Sequence, residues 1–345
     1  MRNDAPGDPQ GGLQLVMDMA AAFRRAMLVV ALVAGPATVA AQGDPQCALR
    51  GSGPLGGNQA KNVCNAAVDA TSLFIPVAGV LVTGGNPFLG SAGGLGGFPH
   101  LGITLRVNAT EIVIPDLAYE GVGTTVDAGQ KLIGPAPLIE GAIGIFRGLD
   151  NGSLAIDALG SAQLLPTGLI DNVYVDVTAR HIGSIALGLG FGARVTLLGE
   201  SKVMPALTVN VMRRSLPRIG VGNIVKGDRY SYASDLRSTE YRATIGKRVG
   251  PLAIGAGAGW TEYAADAQIV FLNPVTSVPE PPVDVHVDDS RALGFVDAGL
   301  SLGGIYLIAE AGVQRGKDLG LVTTFTGNNP KDSRLFGSIG LRFGF

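Results

Sequence analysis

The three histidines are the residues of this sequence that most directly offer chemistry, as metal ligands or general bases. His100, His181 and His286 are far apart, and none has another histidine four residues away. A zinc site needs clustered ligands, so we expect no metal. His181 lies near Asp176 and Ser184, the residue types of a nucleophilic triad, but the segment lacks a nucleophile elbow. We therefore expect no enzymatic activity and no cofactor.

Charged residues recur at alternate positions of apolar segments, on the side opposite the large apolar side chains. Successive side chains of a strand point to opposite faces of its sheet. If the apolar side of a barrel contacts lipid, the charged residues face the lumen, where they pair with one another or line an aqueous path. The predicted lumen-facing residues are Arg106, Asp157, Arg194, Glu240, Arg242, Arg248, Glu310 and Arg342.

The elements that must position these residues have the period of β-strands. In residues 183–198 every second residue from Ile185 to Leu197 is apolar, and small or polar residues stand between them. Comparable alternation defines ten clear strands, including 138–147, and weaker candidates are 172–178, 217–225 and 319–326. Short breaks such as 199–202, 250–251 and 303–304 predict tight turns, whereas 271–290 and 317–333 predict long loops.

Composition indicates which class of β-protein this is. Hydrophobic residues make up 46% of the chain, and charged residues make up 16%, against about 25% in soluble proteins. The 52 glycines and the short apolar runs argue against a helical membrane protein. We predict an all-β fold, a transmembrane antiparallel up-and-down β-barrel of about 12 strands, with 14 as the alternative. Because the net charge is −2, no overall field recruits nucleic acid.

The amino-terminal residues have the order of a secretory signal peptide. Arg24 and Arg25 precede an apolar run that is followed by small residues up to Ala41. We predict a signal peptide over 1–41, and we attribute the residues before Met17 to a misplaced start site. Residues 42–98 are then a periplasmic or plug segment, and residues 99–345 are the barrel.

The two cysteines both lie in the predicted exported part. Cys47 and Cys64 are seventeen positions apart. In an oxidising compartment such a pair forms a disulfide more often than it remains reduced. We expect this bridge at the periplasmic mouth of the barrel.

Residues 58–98 depart from the strand pattern. Helix-forming residues come first, followed by Pro76 and then the break at 84–87. We predict one or two short helices that fold into the lumen as a plug, with a periplasmic helical arm as the alternative. Many of these residues are apolar and need cover from water.

Two segments resemble known proteins. Leu341, Phe343 and Phe345 resemble the carboxy-terminal signal of Gram-negative outer-membrane barrels, which implies the barrel assembly machinery as a partner. Residues 58–115 are similar to the long-chain fatty-acid transporter (FadL-like) family, in which an amino-terminal hatch carries an Asn-Pro-Ala motif and helps bind hydrophobic substrates. Asn86 and Pro87 match that motif, and Phe88 stands in place of the Ala.

We therefore expect a barrel in the bacterial outer membrane, surrounded by its lipids. The function that we expect is passive transport of small molecules, and the FadL-like resemblance implies a hydrophobic substrate. The alternative is a structural or adhesive barrel that acts through its external loops.

Overall fold

Ten long antiparallel strands close into a barrel in a computed structural model of the protein. The structure describes residues 43–51, 57–84, 86, 93–166, 173–175, 181–182 and 185–344. The barrel strands are β1 (Leu101–Pro115), β2 (Ala128–Phe146), β3 (Ala155–Pro166), β4 (Ile185–Leu198), β5 (Ala206–Val221), β6 (Tyr230–Val249), β7 (Leu252–Phe271), β8 (Val283–Ser301), β9 (Ile305–Gln314) and β10 (Arg334–Gly344).

Each strand pairs with its neighbours in the sequence, and β10 closes the sheet. Leu341 of β10 lies opposite Leu307 of β9 on one side and opposite Leu105 of β1 on the other. Closure gives every strand two partners, so no long edge is left unpaired. The order of the sheet is therefore the up-and-down order that the sequence predicts.

The two ends of the barrel differ. At one end, which we call the turn end, strands are joined by residues 147–154, 199–205, 250–251 and 302–304. At the other, the loop end, the described connections include 116–127, 222–229, 272–282 and 315–333. Two of these loops meet where Thr125–Val126 pairs in parallel with Thr324–Phe325.

The predicted number of strands is wrong, because the barrel has ten rather than about 12. The ten clear segments are all present, and the three weaker candidates add no further barrel strand. Residues 217–221 continue β5, whereas Val173–Val175 and Thr324–Phe325 form only short pairings. Residues 283–290, predicted as loop, belong to β8.

The outer wall of the barrel is apolar in its turn-side half. Its exposed side chains include Leu105, Ile139, Leu189, Val211, Tyr241, Ile254, Trp260, Val296, Leu307 and Ile339. The positions between them are buried inside the barrel and are largely small, polar or charged. This arrangement is that of a membrane barrel, whose surroundings are as apolar as its outward side chains.

A long helix occupies the lumen. The short helix α1 (Pro45–Ala48) and a 3-10 turn (Leu49–Gly51) come first, and α2 (Gly57–Thr83) follows. α2 has 27 residues and runs through Pro76, so the expected break at this proline does not occur. A proline removes one backbone hydrogen bond, and the barrel wall around α2 outweighs that loss through packing.

The disulfide joins the two helices at the loop end. Cys47 of α1 is bonded to Cys64 of α2, and both residues are fully buried. They pack with Tyr230, Phe271 and Val283, which stand where β6 and β8 begin and β7 ends. The bridge therefore lies at the loop end of the barrel.

Candidate functional site

The lumen is the candidate site, and α2 is its axis. Near the loop end, Val63, Ala67 and Ala70 of α2 pack against aromatic and branched residues of the wall. We call this cluster the loop-side core; its wall residues include Ile112, Ile114, Val221, Tyr230, Tyr232, Ile269, Phe271 and Val283. The apolar side chains of α2 fit here because they find apolar partners in the wall.

Further along α2 the contacts move toward the turn end. Ile75 and Ala78 pack against Leu236, Tyr263 and Val287. One turn later, Val80 packs against Leu293, Phe295 and Phe336. Gly79 makes this approach possible, since a Cβ at this position would lie 2.2 Å from Cε1 of Tyr263.

Two loops are fastened to the first half of α2. The Asn62 amide donates to the carbonyl oxygens of Gly121 and Gly123, at 2.9 and 2.7 Å. The Asp69 carboxylate accepts from the backbone N–H groups of Val322 and Thr323, at 3.0 and 2.7 Å. Burial raises the pKa of the Tyr119 phenol, which stays protonated and donates to the Gly123 carbonyl at 2.8 Å. These bonds fix the loops over the helix.

The turn-side half of the lumen holds a chain of ion pairs, which we call the lumen network. Its members are Arg106, Glu140, Arg214, Glu240 and Arg242. The Glu140 carboxylate forms one ion pair with Arg106, at 3.0 Å, and another with Arg214, at 2.8 Å. Glu240 joins Arg214 at 3.0 Å and Arg242 at 2.5 Å.

The lumen network crosses the barrel rather than following its wall. Glu140 lies on β2 and Arg214 on β5, with β3 and β4 between them in the sheet. All five side chains are buried, with at most 2% of each exposed. Because each carboxylate has two arginine partners, its negative charge is compensated although the side chains are buried.

The end of α2 is tied to this network. Arg242 Nη2 donates to the Thr83 carbonyl at 2.7 Å, and Asn108 Nδ2 donates to the Leu81 carbonyl at 3.0 Å. The last carbonyl groups of a helix have no partners within it and carry partial negative charge. A buried arginine therefore both satisfies a carbonyl group and favours the helix dipole.

After α2 the chain continues down the lumen. The Asn86 N–H donates to Glu310 at 2.5 Å, and the Asn86 amide lies 3.4 Å from Asp297. Leu95 N–H donates to Asp157, which also accepts two hydrogen bonds from Arg194 at 2.9 and 2.7 Å. The segment that follows the helix is thus held by wall carboxylates.

The structure buries most of the charged residues singled out in the sequence. Arg106, Glu240 and Arg242 belong to the lumen network, and the other buried residues of the set are Asp157, Arg194, Glu310 and Arg342. Arg342 lies over the Tyr306 ring, 4.1 Å from its centroid. Arg248 is exposed near the turn end, where its N–H donates to Glu200. Pro87, Phe88 and Phe345 lie outside the described residues, and Leu341 is exposed on β10.

Several residues of the site were not predicted from the sequence. Glu140 and Arg214 connect the two sides of the lumen network, and Asp69 and Asn62 hold the loops. Glu140 has the same alternation as the residues that were found and could have been added to them. Arg214 follows another arginine, and only the register of β5 determines which of the two points inward.

The histidines are not gathered into one site. His286 lies on the outer surface between Asp266 and Asp288, at 2.6 and 3.1 Å. His100 contacts the Gly97 carbonyl, and the side chain of His181 lies outside the described residues, as do Asp176 and Ser184. Within the described part of the chain, no group of three or more His, Cys, Asp and Glu side chains is placed to hold a metal ion.

Solved outer-membrane barrels resemble this chain at low sequence identity. The outer membrane protease OmpT from Escherichia coli is 12% identical, with 71% of this chain and 96% of that chain covered and a TM-score of 0.36. The translocator domain of the autotransporter NalP from Neisseria meningitidis is 12% identical, with 81% and 99% covered and a TM-score of 0.38. No protein-family model matches the sequence, and no curated protein matches it.

These comparisons correct one prediction and leave another without support. The prediction that the chain has no enzymatic activity is wrong as a conclusion from its fold, since an outer-membrane protease is among the barrels that it resembles. At such TM-scores the likeness assigns no activity to this chain. The FadL-like family is not shown.

The predicted location in the bacterial outer membrane is confirmed. The sheet closes on itself, and its outward side chains are apolar over the turn-side half. A bilayer requires both features, because an open edge would leave backbone groups unpaired in lipid.

Proposed function

We propose that the protein acts through its external end, as a structural or adhesive barrel whose lumen is held closed by α2. The loop-side core carries this proposal. It fills the lumen with packed side chains, the disulfide joins α1 to α2 within it, and two loops are hydrogen-bonded to the helix. A rigid end of this kind is suited to presenting a fixed surface.

The length of the strands supports the same proposal. β6 and β7 have 20 residues each, whereas a membrane strand needs about 9–11. Toward the loop end the outward residues of these strands and of β8 become polar, as at Glu262, Asp266 and His286. Outer-membrane barrels place short turns in the periplasm and long loops outside, so this wall would stand above the membrane.

Passive transport is the second candidate, and it requires α2 to move. The turn-side half of the lumen favours it, because buried polar atoms of Thr104, Asn210 and Thr244 have no hydrogen-bond partner among the described residues. Such atoms are normally satisfied by water. An aqueous path would therefore exist in the turn-side half of the lumen, and α2 would block it in the loop-side half. The hydrophobic substrate implied by the FadL-like resemblance remains a prediction.

Conductance separates the two candidates. Purified intact protein in planar bilayers should give no steady current, and a variant lacking residues 58–97, with Cys47→Ser to avoid a free thiol, should conduct. Steady conductance of the intact protein would favour transport. Heat-modifiable migration of both proteins serves as the control for folding.

Action through the external end has its own test. Replacing residues 273–281 with a Gly-Ser linker should reduce attachment of expressing cells to surfaces and to one another. The matched control is the same replacement in the turn at 200–204, which should leave attachment unchanged. Equal attachment of both variants and of the intact protein would contradict the proposal.

A further inference from the structure

We infer that the chain enters its own barrel at the outer surface of the cell and leaves it on the periplasmic side. The segment Gly43–Gly51 is then displayed on the outer surface of the cell. This inference concerns the direction of α2, and it holds whether the lumen conducts or stays closed. It differs from an ordinary periplasmic plug, which would enter and leave at the turn end.

The direction of α2 follows from the wall residues that it meets in succession. Val63 and Cys64 lie among residues at the loop end, including Val126 and Phe325 of the loops themselves. Ile75 lies at the middle of β6 and β7, and Val80 reaches Phe295 in the turn-side part of β8. Each step along the helix therefore moves toward the turn end.

Contacts of the chain before and after α2 agree with this direction. The Gln46 amide donates to the Asp284 carbonyl at 3.1 Å, and Arg50 lies 3.4 Å from Glu280 in the loop that leads into β8. At the other end, a Cβ on Gly97 would lie 2.8 Å from the backbone nitrogen of Arg147, in a connection of the turn end. β1 then begins at Leu101.

The length of α2 is sufficient for the crossing. A helix of 27 residues is about 40 Å long, and the hydrocarbon core of a bilayer is about 30 Å thick. α2 is long and apolar enough to cross a membrane, yet most of it is buried. The barrel interior, rather than lipid, covers its apolar surface.

The barrel would then hold the amino-terminal segment at the outer surface of the cell. The amino-terminal segment is held outside by α1, by its disulfide to α2 and by bonds to the loop before β8. The segment, and any chain joined before Gly43, would face the medium, whereas Gly344 at the end of β10 lies at the turn end beside Gly102.

Epitope tags test this topology. A tag inserted between Gln42 and Gly43 should bind antibody on intact cells to the level of a tag placed after Thr276, in the loop before β8. A tag between Gly303 and Gly304, at the turn end, should bind only after the outer membrane is permeabilised. If the tag before Gly43 behaves like the tag at Gly303, the inference is overturned.

A second labelling experiment avoids insertions. The chain has only two cysteines, so Cys47→Ala with Cys64→Ala gives a background without thiols. Leu49→Cys and Leu302→Cys can then be compared, because these leucines are 78% and 59% exposed and lie at opposite ends. A membrane-impermeant maleimide should label Leu49→Cys on intact cells and Leu302→Cys only after permeabilisation. The opposite pattern would overturn the inference, and steady conductance of the intact protein would leave it standing.

Discussion

The two halves of the lumen hold the same helix by different means. In the loop-side half, apolar side chains, a disulfide and two loops surround α2. In the turn-side half, Val80 still packs against apolar side chains, but the lumen network and Asn108 contact only the carbonyl groups at the end of α2. The loop-side half covers the apolar surface of α2, whereas the lumen network and Asn108 bind the carboxyl end of the helix.

The two kinds of contact differ in how much they stabilise the helix and how far they determine its position. Burial of apolar area contributes free energy in proportion to the area, about 25 cal/mol per Å². Buried ion pairs contribute little net free energy, because desolvation offsets their attraction, but breaking one is costly. We therefore expect the loop-side core to keep α2 in place and the lumen network to fix its depth.

The largest effect should come from a charge in the apolar half. Ile75→Asp places a carboxylate among Leu236, Tyr263 and Val287, and should weaken the docking of α2 by about 5 kcal/mol or more. Steady conductance in planar bilayers should then appear. The control is Asn58→Asp, at an exposed position of the same helix. A closed Ile75→Asp protein would mean that packing does not hold the helix.

The next effect should come from the middle of the lumen network. Arg214→Met removes the link between Glu140 and Glu240 and leaves each with a single partner. Breaking a buried pair costs about 3–5 kcal/mol, measured as a lower urea midpoint in detergent. Arg213→Met, at the adjacent outward and exposed position, should change stability by less than about 0.5 kcal/mol. Equal losses for the two variants would show that the network has no special role.

The disulfide should have an intermediate effect confined to the outer half. Cys47→Ala with Cys64→Ala should reduce stability by about 3 kcal/mol and expose α1 to added protease on intact cells. The closed lumen should persist, because the loop-side core remains. Reductant should reproduce this result in the intact protein and have no effect on the double variant. If the double variant conducts, the disulfide rather than packing keeps α2 in place.

Period-2 alternation located the ten clear strands because lipid demands apolar side chains on every second residue. Above the membrane this demand ends, and the pattern fails. Asp284, His286 and Asp288 point outward on β8, so the sequence of this strand segment is typical of a loop. Pro217 lies at a register shift between β5 and β6, which makes the second half of β5 look like a separate strand.

The site was harder to predict than the fold because its contacts cross the barrel. Alternation indicates that a side chain points inward, but not which inward side chain it meets. The pairing of Glu140 with Arg214 depends on the number of strands and on their register. The close approach of α2 to the wall at Tyr263 depends on the glycine at position 79, and neither residue has a signal in its own segment.

The smallest effect should come from the bonds between α2 and the loop at 116–127. Asn62→Ala removes two hydrogen bonds, to Gly121 and Gly123, and leaves the apolar contacts of the helix unchanged. The two carbonyl groups are near the surface and can accept from water. We therefore expect the free energy that docks the loop on α2 to fall by about 1–2 kcal/mol. The loop should be cut faster by protease on intact cells, while conductance and the urea midpoint of the barrel stay close to those of the intact protein. Lys61→Ala, at the neighbouring half-buried position, should not change the rate of cutting. If Asn62→Ala instead opened the lumen, the loop would be part of what holds the helix, and the two halves of the lumen would differ less than their contacts indicate.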